Sequence, residues 1–391
     1  MSDNKDLSTL AIHAGDHLDA FGAAVTPLYD TTTFSFANTE NLLDIVEGRN
    51  HGPLYTRYGM NPSITTLEKR LAEFDTAEAA LTYASGMAAI SSLCLAYGRG
   101  GIICVGQIYG GTSTFLQDLA PTLGIKTQFI DANDNHQLEK ALKNGASLVF
   151  LETPSNPTLQ IIDIASVASV THNYSAKLAV DNTFATPINQ QPLTLGADFS
   201  VQSATKYLGG HSDLTAGVVT GKAKALSILN EWRKSLGQTI AAETAHKLKR
   251  SLVTLPLRVE KHNQNALKIA EFLQRHKKVE KVYYPGLKTN SDHELASQQM
   301  HGFGGMLSFD VKGGDAAARR VIDSFKLIKL APSLGGAETL ATQPITTSHH
   351  GLPEALLNRA GISGAMIRLS VGLESETDIA EDLDQALLAN I

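Results

Sequence analysis

Of 391 residues only two are cysteine, Cys94 and Cys104, and both lie inside apolar runs. That argues against a disulfide framework or a cysteine-based metal site, and reads as core thiols in a reducing compartment. No apolar run approaches the ~18 residues a membrane helix needs. The N-terminal M-S-D-N-K-D-L-S has no apolar core of the kind an export signal carries. The expectation is a cytoplasmic protein with no membrane partner and no metal. Long basic runs are missing too: 33 Lys+Arg stand against 39 Asp+Glu, a formal charge of −6, which speaks against nucleic acid as the main partner. There is no G-x-x-x-x-G-K-[ST], no G-x-G-x-x-G and no H-E-x-x-H, so nucleotide and zincin chemistries lack support. Internal repeats and low-complexity tracts are also absent.

What remains is an ordinary globular composition, 43% hydrophobic and 18% charged. The length exceeds what one core usually serves, so two domains are expected. Residues 1–55 show no sustained periodicity and read as an irregular arm reaching a neighbouring subunit. Asn61-Pro62 supplies an N-cap and a first-turn proline, and Ile64, Leu67, Leu71 and Phe74 recur at helical spacing, which predicts a helix over 62–75. Short apolar runs at 80–83, 102–105, 127–130, 148–151, 178–180, 198–202 and 218–219 then alternate with helix-length stretches. That alternation predicts an α/β fold with a mostly parallel central sheet covered by helices. Residues 223–275 read as helical with breaks near Gly237 and Pro256. A smaller C-terminal α/β domain follows, with strands at 306–311 and 366–371 and helices at 316–324 and 378–388.

Open α/β sheets bind ligands at the carboxyl ends of their strands, so polar residues there carry the weight. Ser85-Gly86-Met87 opens a helix straight after a strand, an anion site or an ordinary tight turn. Tyr109-Gly110-Gly111-Thr112 offers a flat aromatic and a phenol, or a plain surface turn. Glu152-Thr153-Pro154-Ser155-Asn156-Pro157 is a loop stiffened by two prolines, with an Asn156 amide that fits a ring substituent. Asp181-Asn182-Thr183 puts a carboxylate at the mouth of an apolar strand, where it suits a protonated ring nitrogen, a helix cap or a salt bridge. Ser203-Ala204-Thr205-Lys206, followed by Tyr207-Leu208-Gly209-Gly210, sets a lysine on a flexible turn just past a strand. Burial tunes such a lysine to act as nucleophile and base.

Singly each signal is weak. Together they supply a phosphate cradle, a ring sandwich, a pyridinium partner and a Schiff-base lysine, the parts that pyridoxal phosphate requires. Far downstream Arg368 sits inside the apolar strand Met366 to Ser370, where a guanidinium is costly unless it meets a carboxylate. An amino-acid substrate brings one. Ser203 to Lys206 also fits the S-x-x-K pattern of penicillin-binding serine hydrolases, but no K-T-G follows, and the only S-D-N is at residues 2–4.

In this order and wording the chain resembles the pyridoxal-phosphate enzymes of cysteine and methionine metabolism: cystathionine γ-synthase, cystathionine γ- and β-lyases, methionine γ-lyase and the O-acylhomoserine sulfhydrylases. The resemblance runs from Ile12-His13-Ala14-Gly15 to Ile367-Arg368-Leu369-Ser370-Val371-Gly372. It takes in Y-T-R at 55–57, S-G-M at 85–87, Y-G-G-T at 109–112, E-T-P-S-N-P-T at 152–158, D-N-T-F at 181–184, S-A-T-K at 203–206 and S-L-G-G at 333–336. It implies the aspartate-aminotransferase-like fold (fold type I) and pyridoxal 5′-phosphate (PLP) as cofactor. The arm would be residues 1–55, the cofactor-binding domain 56–250 and the C-terminal domain 251–391. Lys206 would form the Schiff base and, with Tyr109, transfer protons. Asp181 would pair with the ring nitrogen and Tyr109 would stack on the ring. Gly86, Met87, Ser203 and Thr205 would hold the phosphate, joined by Tyr55 and Arg57 of an adjacent subunit. Arg368, Ser333, Asn156 and Tyr55 would bind the substrate. A homotetramer built as a dimer of dimers is implied, as is γ-elimination or γ-replacement on sulfur amino acids or activated homoserine. The alternatives are the cystathionine-handling reactions of trans-sulfuration, or a PLP-binding protein without turnover. Cystathionine-handling members usually carry acids where this chain has Leu54 and Pro332. Most methionine γ-lyases have cysteine where it has Gly111. Met60 is an extra residue in the arginine loop, and 241–254 departs from the family pattern.

Overall fold

Every residue of Leu148–Glu152 and of Gly217–Gly221 is buried, as strands are when they have neighbours on both edges and helices on both faces. In the computed structural model, which describes residues 5–16, 19–351 and 354–390, they belong to one seven-stranded sheet. Its strands are β1 (Ala79–Tyr83), β2 (Ile102–Val105), β3 (Thr127–Ile130), β4 (Leu148–Glu152), β5 (Lys177–Asp181), β6 (Phe199–Gln202) and β7 (Gly217–Gly221), in the order β1-β7-β6-β5-β4-β2-β3. β2 to β6 run parallel, and β7 runs antiparallel between β6 and β1. The reversal follows from the connection: a loop, not a crossover helix, leads from β6 to β7, so the chain turns back beside its predecessor.

Alternation sorts the side chains. Leu148 and Phe150 of β4, with Phe199 and Val201 of β6, pack on Ala89, Leu93 and Cys94 of the helix Gly86–Tyr97. Val149, Leu151 and Val180 pack on the opposite layer, against Leu138 and Val167 of the helices Asn135–Leu142 and Ile164–Asn173. Two apolar faces fix the register, because a one-residue slip would swap both layers. Glu152 and Asp181 continue the first face. They are register partners at the carboxyl ends of β4 and β5, so their side chains leave the sheet on the same side.

A second sheet holds β8 (Val279–Tyr283), β9 (Met306–Val311), β10 (Lys329–Leu330), β11 (Leu340–Thr342) and β12 (Met366–Ser370), ordered β10-β11-β12-β9-β8. It is antiparallel except for the β10–β11 pair. The helices Leu255–Arg275, Gly314–Asp323 and Glu376–Asn390 cover it. Leu255–Arg275 starts with Pro256 in its first turn, where a missing N–H costs nothing. Its Leu255 and Val259 join a core with the helix Pro62–Phe74, while Ala266, Ile269 and Leu273 join the core of the second sheet. One helix thus ties both cores.

Residues 1–55 are less irregular than their sequence suggests. Leu7–His13 is a helix capped by the Asp6 carboxylate, and Thr39–Val46 is one capped by the Asn38 side chain. Each is two turns or so, too short for periodicity to register. Residues 1–4 and 17–18 of the expected arm lie outside the described residues. The buried Arg70 guanidinium holds the arm, donating to the carbonyls of Ile12 and Ala14 at 2.8 Å each. Ile12, Phe21, Val25 and Leu28 stay exposed, Phe21 at 96%. Among the described residues no helix is long and apolar enough to cross a membrane.

Candidate active site

β6 ends at Gln202, and the next eight residues wind into a tight turn. Lys206 N–H donates to the Ser203 carbonyl at 3.1 Å, and the Gly210 N–H returns to the Lys206 carbonyl at 2.7 Å. Beneath the turn the buried Arg258 donates to the carbonyls of Tyr207 (2.7 Å) and Ser251 (2.9 Å). Above it lies the Ser333-Leu334-Gly335-Gly336 segment. Gly335 has φ +72°, and a Cβ there would come within 2.6 Å of Tyr207 N, so only glycine lets the two loops touch. Between these layers Lys206 Nζ donates to Ser333 Oγ at 3.1 Å. Burial, then the charge of Arg368, lowers the Lys206 ammonium pKa, which favours the neutral amine that proton abstraction needs.

Asp181 closes β5 with 5% of its surface exposed. Its Oδ1 accepts from Thr183 N–H (3.0 Å) and Thr183 Oγ1 (2.6 Å). Thr183 Oγ1 in turn accepts the Ser203 N–H at 2.8 Å, so one threonine couples the acid to the lysine turn. Burial without a cationic partner lifts the Asp181 carboxyl to about 6. Its Oδ2 makes no hydrogen bond among the described residues. A buried carboxylate with one free oxygen is the partner a protonated ring nitrogen requires.

Ser85 caps the helix Gly86–Tyr97, its hydroxyl accepting Ala88 N–H at 3.1 Å, which leaves the N–H groups of Gly86 and Met87 without intrahelical acceptors. A Cβ on Gly86 would lie 2.8 Å from the Ser203 Cβ, so the helix start and the lysine turn meet because Gly86 has no side chain. The Ser203 hydroxyl makes no hydrogen bond among the described residues. That of Thr205 is engaged with the Ala216 backbone, donating to the carbonyl at 3.2 Å and accepting the N–H at 3.0 Å. Gly86, Met87 and Ser203 thus have free donors at one point, while Thr205 shapes the turn.

Arg368 sits mid-strand in β12, 7% exposed. Its guanidinium donates to Asn156 Oδ1 at 3.0 Å and to the Ser333 carbonyl at 3.4 Å. Burial lowers its pKa to about 10, with Glu152 opposing, so it stays charged at neutral pH. Ser333 touches both Lys206 and Arg368. Asn156 stands in a loop whose Thr153–Pro154 and Asn156–Pro157 bonds are both cis. His349 is buried beside this group, its Nδ1 2.9 Å from Ser348 Oγ. Burial and the Arg368 charge lower its imidazole pKa to about 4, so it is neutral.

Tyr109 is 46% exposed, and its ring lies over Gly111, where a Cβ would be 2.6 Å from the ring. Its N–H donates to Glu152 Oε2 at 2.6 Å. Tyr55 and Arg57 stand apart. Arg57 donates to the Lys234 carbonyl at 2.6 Å and stacks on Tyr58, its guanidinium carbon 4.9 Å from the ring centroid. No hydrogen bond among the described residues joins Tyr55 or Arg57 to Lys206, Asp181 or Arg368 in the same chain. The extra Met60 bonds back, its carbonyl accepting Leu54 N–H at 3.0 Å.

Sequence reasoning passed over three members of this group. Glu152 carries the signal that marked Asp181, an acid ending an apolar strand. Thr183 was in view without a role. His349 has no sequence signal, since only the tertiary fold brings 343–351 against Gly110, where a Cβ would meet the Ser348 carbonyl at 2.3 Å. The constellation fits PLP: free N–H and hydroxyl donors for a phosphate, a carboxylate oxygen without a partner for the ring nitrogen, an amine of lowered pKa, an exposed flat ring and a buried guanidinium.

Comparison with known proteins bears on the same chemistry. Residues 8–388 match the family model for the Cys/Met metabolism PLP-dependent enzymes. An L-methionine gamma-lyase of Fusobacterium nucleatum subsp. polymorphum is 40% identical over 386 residues, covering 97% of this chain and 98% of its own. The chloroplastic cystathionine gamma-synthase 1 of Arabidopsis thaliana is 39% identical over 387 residues, 97% of this chain and 69% of its own. The crystal structure of metB from Corynebacterium glutamicum superposes with a TM-score of 0.92 at 37% identity, covering 100% of this chain and 99% of that one.

Proposed function

The chain belongs to the Cys/Met metabolism PLP-dependent enzyme family, with PLP as its cofactor, and within that family we propose that it catalyses γ-elimination or γ-replacement on a sulfur amino acid or an activated homoserine. The observation that carries this reading is the contact chain Lys206–Ser333–Arg368–Asn156: an amine of lowered pKa one residue away from a buried carboxylate clamp. Lys206 is the Schiff-base residue. Asp181 Oδ2 would face the ring nitrogen, Gly86, Met87 and Ser203 would hold the phosphate on a turn that Thr205 shapes through Ala216, and Tyr109 would stack on the ring.

When bound, PLP supplies an electron sink for negative charge at the substrate Cα. Arg368 grips the substrate α-carboxylate with two parallel N–H donors, Asn156 and Ser333 holding the guanidinium in plane. Lys206 Nζ, its pKa lowered by burial and the Arg368 charge, removes the Cα proton and then moves a proton at Cβ, after which the Cγ substituent leaves. The Tyr109 hydroxyl is the second proton-transfer group. A thiol adding at Cγ gives replacement; otherwise water releases a 2-oxo acid and ammonia.

Leu54 and Pro332 put no charge where a distal ammonium would need one, so the preferred substrate is compact and lacks a distal amine. The relative named as a cystathionine gamma-synthase keeps cystathionine chemistry as the second reading. The exposed apolar side chains of the arm support assembly into a homo-oligomer, a tetramer of two dimers, with Tyr55 and Arg57 completing the neighbour's phosphate site. Two free buried cysteines fit a cytoplasmic location. The test is a panel of methionine, homocysteine, cystathionine, cysteine and O-acylhomoserines, with and without sulfide, assayed for 2-oxo acid and thiol. Turnover of methionine or an O-acylhomoserine ahead of cystathionine supports the reading, and strong selectivity for cystathionine overturns it.

A further inference from the structure

Glu152 has no role in the chemistry above, yet its placement is exacting. It is the last residue of β4, 3% exposed, and makes no ion pair among the described residues. Its Oε2 accepts the Tyr109 N–H at 2.6 Å. Across the β4–β5 pair it stands opposite Asp181, and the two carboxyls project from the same face about one strand spacing, ~5 Å, apart. Burial, then the charge of Asp181, raises its pKa well above the carboxylate range, with the N–H groups of Tyr109 and Asn156 opposing. The raised Glu152 pKa disfavours a second negative charge beside Asp181, the acid placed for a ring nitrogen.

Tyr109 needs such an anchor. It precedes the short helix Gly110–Thr114 without capping it through its side chain. Its half-exposed ring rests on Gly111, which has no side chain to hold it. The backbone bond to Glu152 is therefore the contact that ties the ring to the sheet edge where Asp181 stands. We propose that Glu152 is a positioning residue that fixes Tyr109 relative to Asp181, and so sets the gap that a flat cofactor ring enters. This rests on the PLP reading given above.

The experiment is a double-mutant cycle on PLP affinity, titrating the apoenzymes with PLP and following visible absorbance. Glu152→Gln keeps an acceptor for the Tyr109 N–H and stays within about threefold of the wild-type dissociation constant, whereas Glu152→Ala leaves that N–H unpaired and weakens PLP about tenfold. In the Tyr109→Ala background Glu152→Ala adds less than about twofold, because both changes remove one device. If Glu152→Ala does not fold, Glu152→Asp, whose carboxyl falls one methylene short, takes its place in the cycle. Multiplicative effects in the cycle, or a Glu152→Gln as weak as Glu152→Ala, overturn the proposal. A wild-type protein that takes up PLP at Lys206 while the cycle multiplies loses only the tether; a wild type that takes up none loses the PLP reading itself.

Discussion

Arg368→Ala tests the substrate clamp. The guanidinium is buried, held by Asn156 Oδ1 at 3.0 Å and the Ser333 carbonyl at 3.4 Å, and makes no ion pair among the described residues. A hydrogen bond between charged partners contributes about 1.5–3 kcal/mol. A two-pronged grip therefore contributes about 3–6 kcal/mol, and its loss lowers kcat/KM roughly 10²–10⁴-fold at ~1.4 kcal/mol per decade. Arg368→Lys keeps the charge but offers one prong, and recovers about half of that loss on the free-energy scale. Neither variant touches Asp181, Gly86 or Ser203, so PLP affinity stays near wild type, while loss of the Arg368 charge in the alanine variant raises the Lys206 pKa. The assay is steady-state release of 2-oxo acid by PLP-loaded protein, with KM and kcat resolved and PLP titrated separately. A folded, loaded Arg368→Ala enzyme within fivefold of wild-type kcat/KM would refute the clamp. So would a defect confined to PLP binding.

Two further outcomes follow from the same geometry. Gly86→Ala drives a Cβ to 2.8 Å from that of Ser203 and parts the helix start from the lysine turn; PLP titration should show affinity down about tenfold or more, and unchanged affinity would remove Gly86 from the phosphate site. Asp75 is buried against Thr220 (2.6 Å) and Gln202 (3.4 Å), and burial raises its carboxyl from 3.8 to about 6. The folded protein therefore binds this proton more tightly than the unfolded chain. The stability it contributes is complete below about pH 3.8 and is lost as pH rises through about 6. The gap corresponds to about 3 kcal/mol, so Asp75→Asn should be more stable than wild type in denaturant melts near pH 8 and equal to it near pH 4. An equal difference at both pH values would contradict this.

The layered fold was legible because apolar strands buried on both faces cannot be mistaken for surface segments once they recur at helix-length intervals. β7 escaped the parallel pattern because direction is decided by the connection, and the 203–216 loop carries no signal of its own. The two arm helices are too short to show a period. In the site, Lys206, Asp181 and Gly86 were visible from their positions after strands, and Arg368 from its cost in an apolar strand. Glu152 was masked by the proline loop it opens, and His349 by depending entirely on tertiary contact. The family resemblance implies a phosphate role for Thr205, yet its hydroxyl is engaged with the backbone of Ala216.

The central claim is that Lys206 is the residue that binds PLP covalently. Borohydride reduction of the PLP-loaded protein, followed by peptide mass mapping, reads this directly. The prediction is one stoichiometric pyridoxyl adduct on Lys206, with no adduct and no visible Schiff-base band in Lys206→Ala. An adduct on another lysine, or none on a protein saturated with PLP, would contradict it.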